Sequence, residues 1–347
     1  MGHLRIRKDR VDRTTVFVVG AGFSRDLGYP LTRDLLTRLP MSAPLWKVFR
    51  RVVRFHHPDW NGRKANLPNV ETLLTEWEAN EELLPSLRPT GPFTANHLRK
   101  LRRDLLAAIA EWFHSIHKRR SANRDSILKA FRQLIQSVEN PVIVSFNWDY
   151  ELDRILCEGK KRREVYGLEE SGLRTPVLLK PHGSLTWYRF HPGRHIKESL
   201  RETLWEDKKH VRNPRYCFLD WRAPKSSHRR YVPWIIPPTL LKSFGHPMLQ
   251  RIWRRSVDCL SVARNIYFLG YSLPAADWHS RYIFRCGFHN QIEGRPLDSG
   301  GRERRTGRAK VFIVNPKDSD AYNRIQTTAG WNCTWIRSSV KDWLLAT

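Results

Sequence analysis

The first candidate ligand-binding residues in this 347-residue chain lie in a glycine-rich turn near the N-terminus. Val16 to Val19 is a short apolar run typical of a buried strand, and it leads into Gly20-Ala21-Gly22-Phe23-Ser24 and then a helical pattern. Glycines at such a turn let a ligand approach the backbone, and the first amides of a helix attract an anion. The stretch indicates a phosphate-binding turn, with a plain strand–turn–helix as the alternative.

Four later apolar runs end in polar or glycine motifs in the same way. They lead into Asn147-Trp148-Asp149, Lys180-Pro181-His182-Gly183-Ser184, Gly270-Tyr271-Ser272 and Asn315-Pro316. A histidine has an ordinary pKa of about 6.5 and suits a general base, while asparagine and aspartate suit the binding of hydroxyl groups. Each motif also has an ordinary explanation, since Asn147 or Asp149 can cap a helix, His182 can be a hydrogen-bonded core residue, and Ser272 and Asn315 can form turns. Five such endings in one chain favour a shared site.

The elements that must position these residues are parallel strands. Continuous apolar runs separated by helices are typical of a parallel sheet covered on both faces, and ligands bind at the carboxyl ends of its strands. We therefore predict an α/β fold, a Rossmann-like parallel sheet with helices on both faces, whose five motifs converge on one edge.

A helical subdomain is predicted between the first and second apolar runs, because apolar residues there recur at helical spacing. The clearest stripe is Leu98, Leu101, Leu105, Ala108, Ile109 and Trp112. The predicted boundaries are 14–39, 140–187 and 251–347 for the sheet domain, 40–139 for the inserted helical subdomain and 188–250 for an irregular insertion.

The overall composition of the chain indicates which binding partners, metal sites and cellular location to expect. A formal charge of +27 makes nucleic acid a possible partner, although the basic residues are dispersed and form no nucleic-acid motif. The five cysteines are far apart and contain no CxxC pair, so neither a zinc ribbon nor a disulfide framework is predicted, and no metal is expected. With no signal-like segment and no apolar run long enough to span a bilayer, the expected setting is cytoplasmic, without membrane contact.

The order of the motifs resembles the sirtuin superfamily, and in particular the sirtuin-like domains of bacterial anti-phage defence proteins. The resemblance implies that NAD is the substrate and that the glycine turn holds its pyrophosphate. It implies that an N-x-D motif lies by the nicotinamide ribose, that a histidine serves as base, and that the later strand ends contact the adenosine half. The matching catalytic residues are Asn147, Asp149 and His182; the matching NAD-binding residues are Gly20, Ala21, Gly22, Ser24, Gly183, Gly270, Ser272 and Asn315.

The chain departs from the sirtuin deacylases in two places. It lacks the four cysteines of their zinc module, and Phe146 stands where they carry a glutamine before the N-x-D motif. Water is therefore the expected acceptor, which gives an NAD glycohydrolase. Asp149 is expected either to fix Asn147 or to stabilise developing positive charge. The resemblance also implies an NAD-depleting role in anti-phage defence by abortive infection, a homo-oligomer, and activation by a motor ATPase or a nucleic-acid-guided protein.

Other functions stay open at this point. One is a sirtuin-type deacylase or ADP-ribosyltransferase, and another is a non-catalytic module that binds NAD, ADP-ribose or a cyclic nucleotide. A nicotinamide dehydrogenase is disfavoured, because Arg25 interrupts the G-x-G-x-x-G pattern and no acidic residue closes a second strand about 20 residues on.

Overall fold

The computed structural model describes residues 14–86, 92–119, 121–169, 176–190, 201–203, 216–219, 231–236, 246–275, 277–297, 300–303, 305–316 and 319–346. Much of the predicted insertion at 188–250 therefore lies outside the described residues.

Ten strands are present in the described residues: β1 Thr14–Val19, β2 Pro141–Ser145, β3 Val177–Leu179, β4 Gly183–Phe190, β5 Arg201–Thr203, β6 Tyr216–Leu219, β7 Tyr231–Ile235, β8 Ala263–Leu269, β9 Lys310–Val314 and β10 Thr334–Ile336. The helices in the same residues are α1 Ala21–Asp26, α2 Leu35–Arg38, α3 Ala43–His56, α4 Val70–Leu83, α5 Ala95–Lys118, α6 Ala122–Ser137, α7 Glu151–Cys157, α8 Arg162–Val165, α9 Pro247–Ser261, α10 Trp278–Glu293, α11 Ser319–Ala329 and α12 Val340–Ala346. Across those ranges, no helix has the length and apolar character that a bilayer crossing requires.

Six of the strands form a parallel sheet in the order β10-β9-β8-β1-β2-β3. Every residue of β1 is buried, and so is every residue of β2 and β3, as expected for strands that are covered on both faces. The predicted Rossmann-like α/β class is confirmed.

Aromatic side chains join the sheet to the helix beneath it. Phe131 on α6 meets Phe17 of β1 edge-on at 5.9 Å and Phe23 of α1 at 5.2 Å between ring centroids. Edge-to-face pairs at this separation add to the free energy gained from burial alone. The first strand and the glycine turn after it are therefore anchored to the same helix.

The helical insertion lies between β1 and β2, where the spacing of apolar residues predicts it. Its long helix α5 begins at a capping box, in which Thr94 accepts from the His97 amide and the His97 ring accepts from the Thr94 amide. Four members of the predicted stripe, Leu98, Leu101, Leu105 and Ile109, are buried. Ala108 and Trp112 pack at its margin, partly buried.

The sequence pattern predicts an irregular insertion at 188–250, but the described residues of that range include regular strands. A second sheet with antiparallel pairing, in the order β5-β6-β4-β7, runs through this region from Gly183. β4 and β5 contain polar and charged residues, and Pro233 interrupts the strand pattern of β7. Proline is tolerated there because β7 is an edge strand.

Candidate active site

The register of the parallel sheet aligns the C-terminal ends of β1, β2, β8 and β9. Val19 pairs with Ser145 on one side and Leu269 on the other, and Leu269 pairs with Val314. The residues that follow these positions therefore stand side by side at the carboxyl edge. They line a cavity of about 820 Å³, a size typical of small-molecule sites.

Every residue of the predicted site except one lines this cavity: Gly20, Ala21, Gly22, Ser24, Asn147, Asp149, His182, Gly270, Ser272 and Asn315. The exception is Gly183, which begins β4 with a φ of +75° and lies against β7. A Cβ there would come within 2.3 Å of the Trp234 carbonyl oxygen, so this glycine permits strand packing.

The glycines of the first turn allow two backbones to meet. A Cβ on Gly22 would lie 2.8 Å from Gly270 Cα, and one on Gly270, whose φ is +59°, would lie 2.4 Å from the Phe23 nitrogen. The Gly22 amide donates to Gly270 O at 2.8 Å, and the Phe23 amide donates to Gly20 O at 3.0 Å. The turn therefore offers fewer amides to a phosphate than its sequence suggests, because some of them already bind the β8 turn or the turn itself.

One side of the cavity, here called the amide wall, consists of Gly20, Ser24, Asn147 and Asp149. Asn147 Nδ2 donates to Gly20 O and to Ser24 Oγ, both at 2.7 Å, and Ser24 Oγ donates to Asp149 Oδ2 at 2.5 Å. In the described part of the chain, no group donates to Asn147 Oδ1. The amide of Asn147 is thus fixed through its nitrogen, and its oxygen is left as an acceptor for a ligand.

Asp149 is the buried carboxylate of this wall. Its Oδ1 accepts from the Glu151 amide at 3.1 Å, so both of its oxygens are bound within the protein. Burial raises the pKa of Asp149, while the charge of Lys180 and the hydrogen bond from Ser24 oppose that shift. Of the two predicted roles, this geometry favours fixing Ser24 and Asn147 over contact with a ligand.

Lys180 is almost fully buried and binds the backbone of Asp149. Its Nζ donates to Asp149 O at 2.8 Å, to Asp153 Oδ2 at 2.6 Å and to Ser184 Oγ at 3.0 Å. Three acceptors match the three donors of an ammonium group, so the buried charge is fully paired. The lysine therefore connects the ends of β2 and β3.

A second buried carboxylate, Glu151, ties the helices to the site. Its Oε1 accepts from Tyr29 at 2.8 Å and contacts His117 Nδ1 at 3.1 Å, with the Arg124 guanidinium 3.4 Å away. Burial alone would raise the pKa of Glu151, but the hydrogen bond and charge of His117, with Tyr29 and Arg124, lower it overall. The segment after α1 is held against α5, α6 and α7 by this cluster.

A second group of residues in the cavity lining, here called the histidine wall, consists of Phe146, His182, Tyr271 and Asp277. Phe146 stacks on Tyr271 at 4.6 Å between ring centroids and meets His182 edge-on at 5.0 Å. His182 Nε2 lies 3.5 Å from Asp277 Oδ2, and both side chains are more than nine-tenths buried. Burial, and then the charge of Asp277, raise the pKa of Tyr271 well above its ordinary value.

Sequence reasoning missed Asp277 and Tyr271 as members of the site. Asp277 caps the start of α10, accepting from the Ser280 amide at 3.3 Å and from Ser280 Oγ at 2.6 Å. An aspartate just before a helical pattern predicts an N-cap, but nothing in the sequence indicates that it meets His182. Charged residues Arg25, Asp26, Arg33 and Glu71 also line the cavity and were not predicted.

Among the described residues, no group of three or more His, Cys, Asp or Glu side chains could hold a metal ion. Within the same residues Cys157, Cys259, Cys286 and Cys333 form no disulfide bond. Burial raises the pKa of the Cys259 thiol to about 11, which makes it unreactive at neutral pH.

No protein-family model matches the chain, and no curated protein matches it in sequence. Solved structures of Sir2 proteins are similar to it. A Sir2 homologue in complex with NAD is 12% identical, over 96% of this chain and 88% of that one, with a TM-score of 0.40. Sir2 with the inhibitor EX-527, 2′-O-acetyl-ADP-ribose and a deacetylated p53 peptide is 16% identical over 97% and 94%, with a TM-score of 0.37.

A Sir2 complex with a p53 peptide and NAD⁺ is 17% identical to the chain, over 96% of this chain and 91% of that one, with a TM-score of 0.37. At identities and TM-scores this low, what the cavity can do has to follow from its own residues.

Proposed function

We propose that the cavity is the active site of an NAD glycohydrolase, which uses water to cleave NAD into nicotinamide and ADP-ribose. The observation that carries the proposal is that a fixed asparagine, Asn147, and a buried histidine, His182, line one cavity at the carboxyl edge of a parallel sheet. NAD as the ligand follows from the ordered motifs, which resemble those of the sirtuin superfamily.

The reaction requires one bond to break and one to form. The bond between C1′ of the ribose and the nicotinamide nitrogen breaks, and its electron pair stays on that nitrogen, which loses its positive charge. A water oxygen then bonds to C1′, and the water proton passes to His182. After this proton is released to solvent, the products are nicotinamide, ADP-ribose and one proton.

Asn147 is assigned the role of orienting the ribose or the water. Its nitrogen is occupied by Gly20 O and Ser24 Oγ, so its oxygen can accept from a ribose hydroxyl or from the attacking water. A group held in place before the reaction pays little reorganisation cost during it. Asp149 acts through Ser24 as a positioning residue.

A protein deacylase is the second candidate, and the histidine wall bears on it directly. Phe146 stands where the resemblance places a glutamine in deacylases, and it is packed between His182 and Tyr271. The chain also has no CxxC pair from which to build the zinc module of those enzymes. Water therefore remains the favoured acceptor over an acyl-lysine.

The test is an NAD turnover assay with product separation by chromatography. Wild type is expected to release nicotinamide and ADP-ribose, and Asn147→Ala and His182→Ala are each expected to lower the rate about 10²-fold or more. His289→Ala, an exposed histidine on α10, is the matched control and should keep the wild-type rate. Equal nicotinamide release by wild type and both site variants would rule the proposal out.

Two further arms separate the alternatives. An acyl-lysine peptide added with NAD gives a deacylated peptide only if the chain is a deacylase. Binding of NAD, measured by calorimetry, without any product would identify a binding module.

The biological setting is a separate proposal that rests on the motif resemblance. An enzyme that depletes NAD harms its own cell, so we propose an anti-phage role in which a homo-oligomer is activated by a motor ATPase or a nucleic-acid-guided protein. The charge of +27 suits a nucleic acid or an acidic partner. Binding to DNA or RNA that does not weaken as salt is raised would remove nucleic acid from this scheme.

A further inference from the structure

We propose that Asp277 is a positioning residue for His182, which orients the imidazole through Nε2 and stabilises the imidazolium that forms when the ring takes up the proton of the attacking water. The inference rests on the proposed function, because it names the partner of the base in the same cavity.

The geometry of the pair suits this role. His182 comes from the loop after β3 and Asp277 from the start of α10, so the tertiary fold brings together residues that are far apart in sequence. The distance from Nε2 to Oδ2 is 3.5 Å, and hydrogen bonds between catalytic groups often shorten when substrate binds. A carboxylate beside one ring nitrogen selects the tautomer and stabilises the imidazolium that forms, as in other histidine–carboxylate pairs.

Helix capping alone does not explain this carboxylate. The cap needs only one acceptor for the Ser280 amide, and Asp277 Oδ1 supplies it. Asparagine and serine cap helices about as well as aspartate, whereas a buried negative charge is costly unless it is compensated. The second oxygen, Oδ2, is the one that faces both Ser280 Oγ and His182.

The surroundings of the pair are mostly aromatic. Phe146, which directly follows β2, and Trp253 from α9 pack against the His182 ring, with centroids at 5.0 Å and 6.2 Å. The other titratable groups near the pair are Tyr271, whose pKa burial and then Asp277 raise, and Glu71 of α4, whose charge also acts on Tyr271. Asp277 is therefore the carboxylate in closest reach of His182 within the described ranges.

The decisive variant is Asp277→Asn, which keeps the helix cap and removes the charge. With NAD, we expect kcat to fall about 10²-fold while KM changes by less than about twofold, because orientation of the base matters in the transition state. The melting temperature should stay near that of wild type. Asp258→Asn, which removes a carboxylate paired with Arg295 outside the cavity, is the matched control and should leave kcat unchanged.

A titration without NAD tests the pair independently of turnover. In protein with ¹³C-labelled histidine, the His182 ring signal is assigned by its loss in His182→Ala, and its midpoint is followed with pH. In Asp277→Asn this midpoint should lie about one unit below that of wild type, since the carboxylate no longer stabilises the imidazolium. Asp277→Glu, which keeps the charge, should bring the midpoint most of the way back to that of wild type.

The outcomes separate the two proposals. An unchanged midpoint in Asp277→Asn overturns the positioning role, even if kcat falls, because the loss would then be structural. A lowered midpoint in a protein that does not cleave NAD upholds the pair and refutes the glycohydrolase. Should Asp277→Asn unfold, Asp277→Ser provides a second uncharged cap for the same titration.

Discussion

The amide wall is joined by hydrogen bonds of 2.5 to 2.7 Å, whereas the histidine wall is joined by stacked rings and a 3.5 Å approach between His182 and Asp277. On the amide wall the Asn147 nitrogen, Ser24 and Asp149 are bound to one another or to Gly20, and the Asn147 oxygen is left to accept from a ligand, which suits a surface that holds a ligand in one orientation. On the histidine wall the imidazole is bounded by flat apolar faces and one carboxylate, which suits a group that gains and loses a proton. One cavity can thus divide positioning and proton transfer between two groups of its lining residues.

The largest expected loss of stability and NAD turnover comes from Ser24→Ala, which removes the central hydroxyl of the amide wall. The substitution removes the donor to Asp149 Oδ2 and the acceptor for Asn147 Nδ2. A buried carboxylate oxygen without its donor should cost about 1–3 kcal/mol of unfolding free energy, and NAD turnover should fall about 10²-fold as Asn147 loses its orientation. Urea denaturation and nicotinamide release measure the two effects.

The matched control for that variant is Ser256→Ala. Ser256 is also buried, but within the described residues its hydroxyl donates to the Ile252 carbonyl of its own helix, α9. It should unfold and turn over NAD almost as wild type does. If the two serine variants behave alike, the amide wall has no special role.

A smaller loss of kcat is expected from Phe146→Leu on the histidine wall. The change removes the stack on Tyr271 and the edge contact with His182, each of a kind worth about 0.5–1.5 kcal/mol. We expect kcat to fall up to about tenfold, with little change in KM, because imidazole orientation loosens while the amide wall stays intact. Steady-state kinetics measure the split between kcat and KM.

Phe268→Leu controls for loss of an aromatic ring in the same cluster. Phe268 also packs near Tyr271, at 6.4 Å between ring centroids. Among the described residues it makes no ring contact with His182, unlike Phe146. It should lose stability without losing kcat. A drop in kcat as large as that of Phe146→Leu would mean that the histidine wall works only as general packing.

The smallest effect is in the pH dependence of stability. Because burial raises the pKa of Asp149 above its unfolded value, its contribution is fully present below the unfolded pKa, near 3.8, and is lost as pH rises through the folded pKa. Asp149→Asn removes this term, so its unfolding free energy should fall less than that of wild type between pH 4 and neutrality. Urea midpoints across that range measure it, and parallel curves for the two proteins would contradict the assignment.

The parallel sheet could be predicted because its strands carry the signal along the chain. A strand buried on both faces is apolar at every position, so β1 and β2 are visible without knowledge of their neighbours. Because parallel strands share one carboxyl edge, the motifs after them could be placed together before any register was known. The antiparallel sheet could not be predicted in this way, since β4 and β5 contain polar and charged residues and β7 contains Pro233.

The sequence by itself predicted the parallel sheet, the order of its motifs and ten of the residues that line its carboxyl edge, but neither Tyr271 nor Asp277. Tertiary structure alone decided which of those residues touch. The approach of Gly22 to Gly270, the packing of Gly183 against Trp234 and the meeting of His182 with Asp277 each join segments remote in the chain. Such contacts leave no local periodicity, because they depend on strand register and on where a helix begins rather than on the preferences of neighbouring residues.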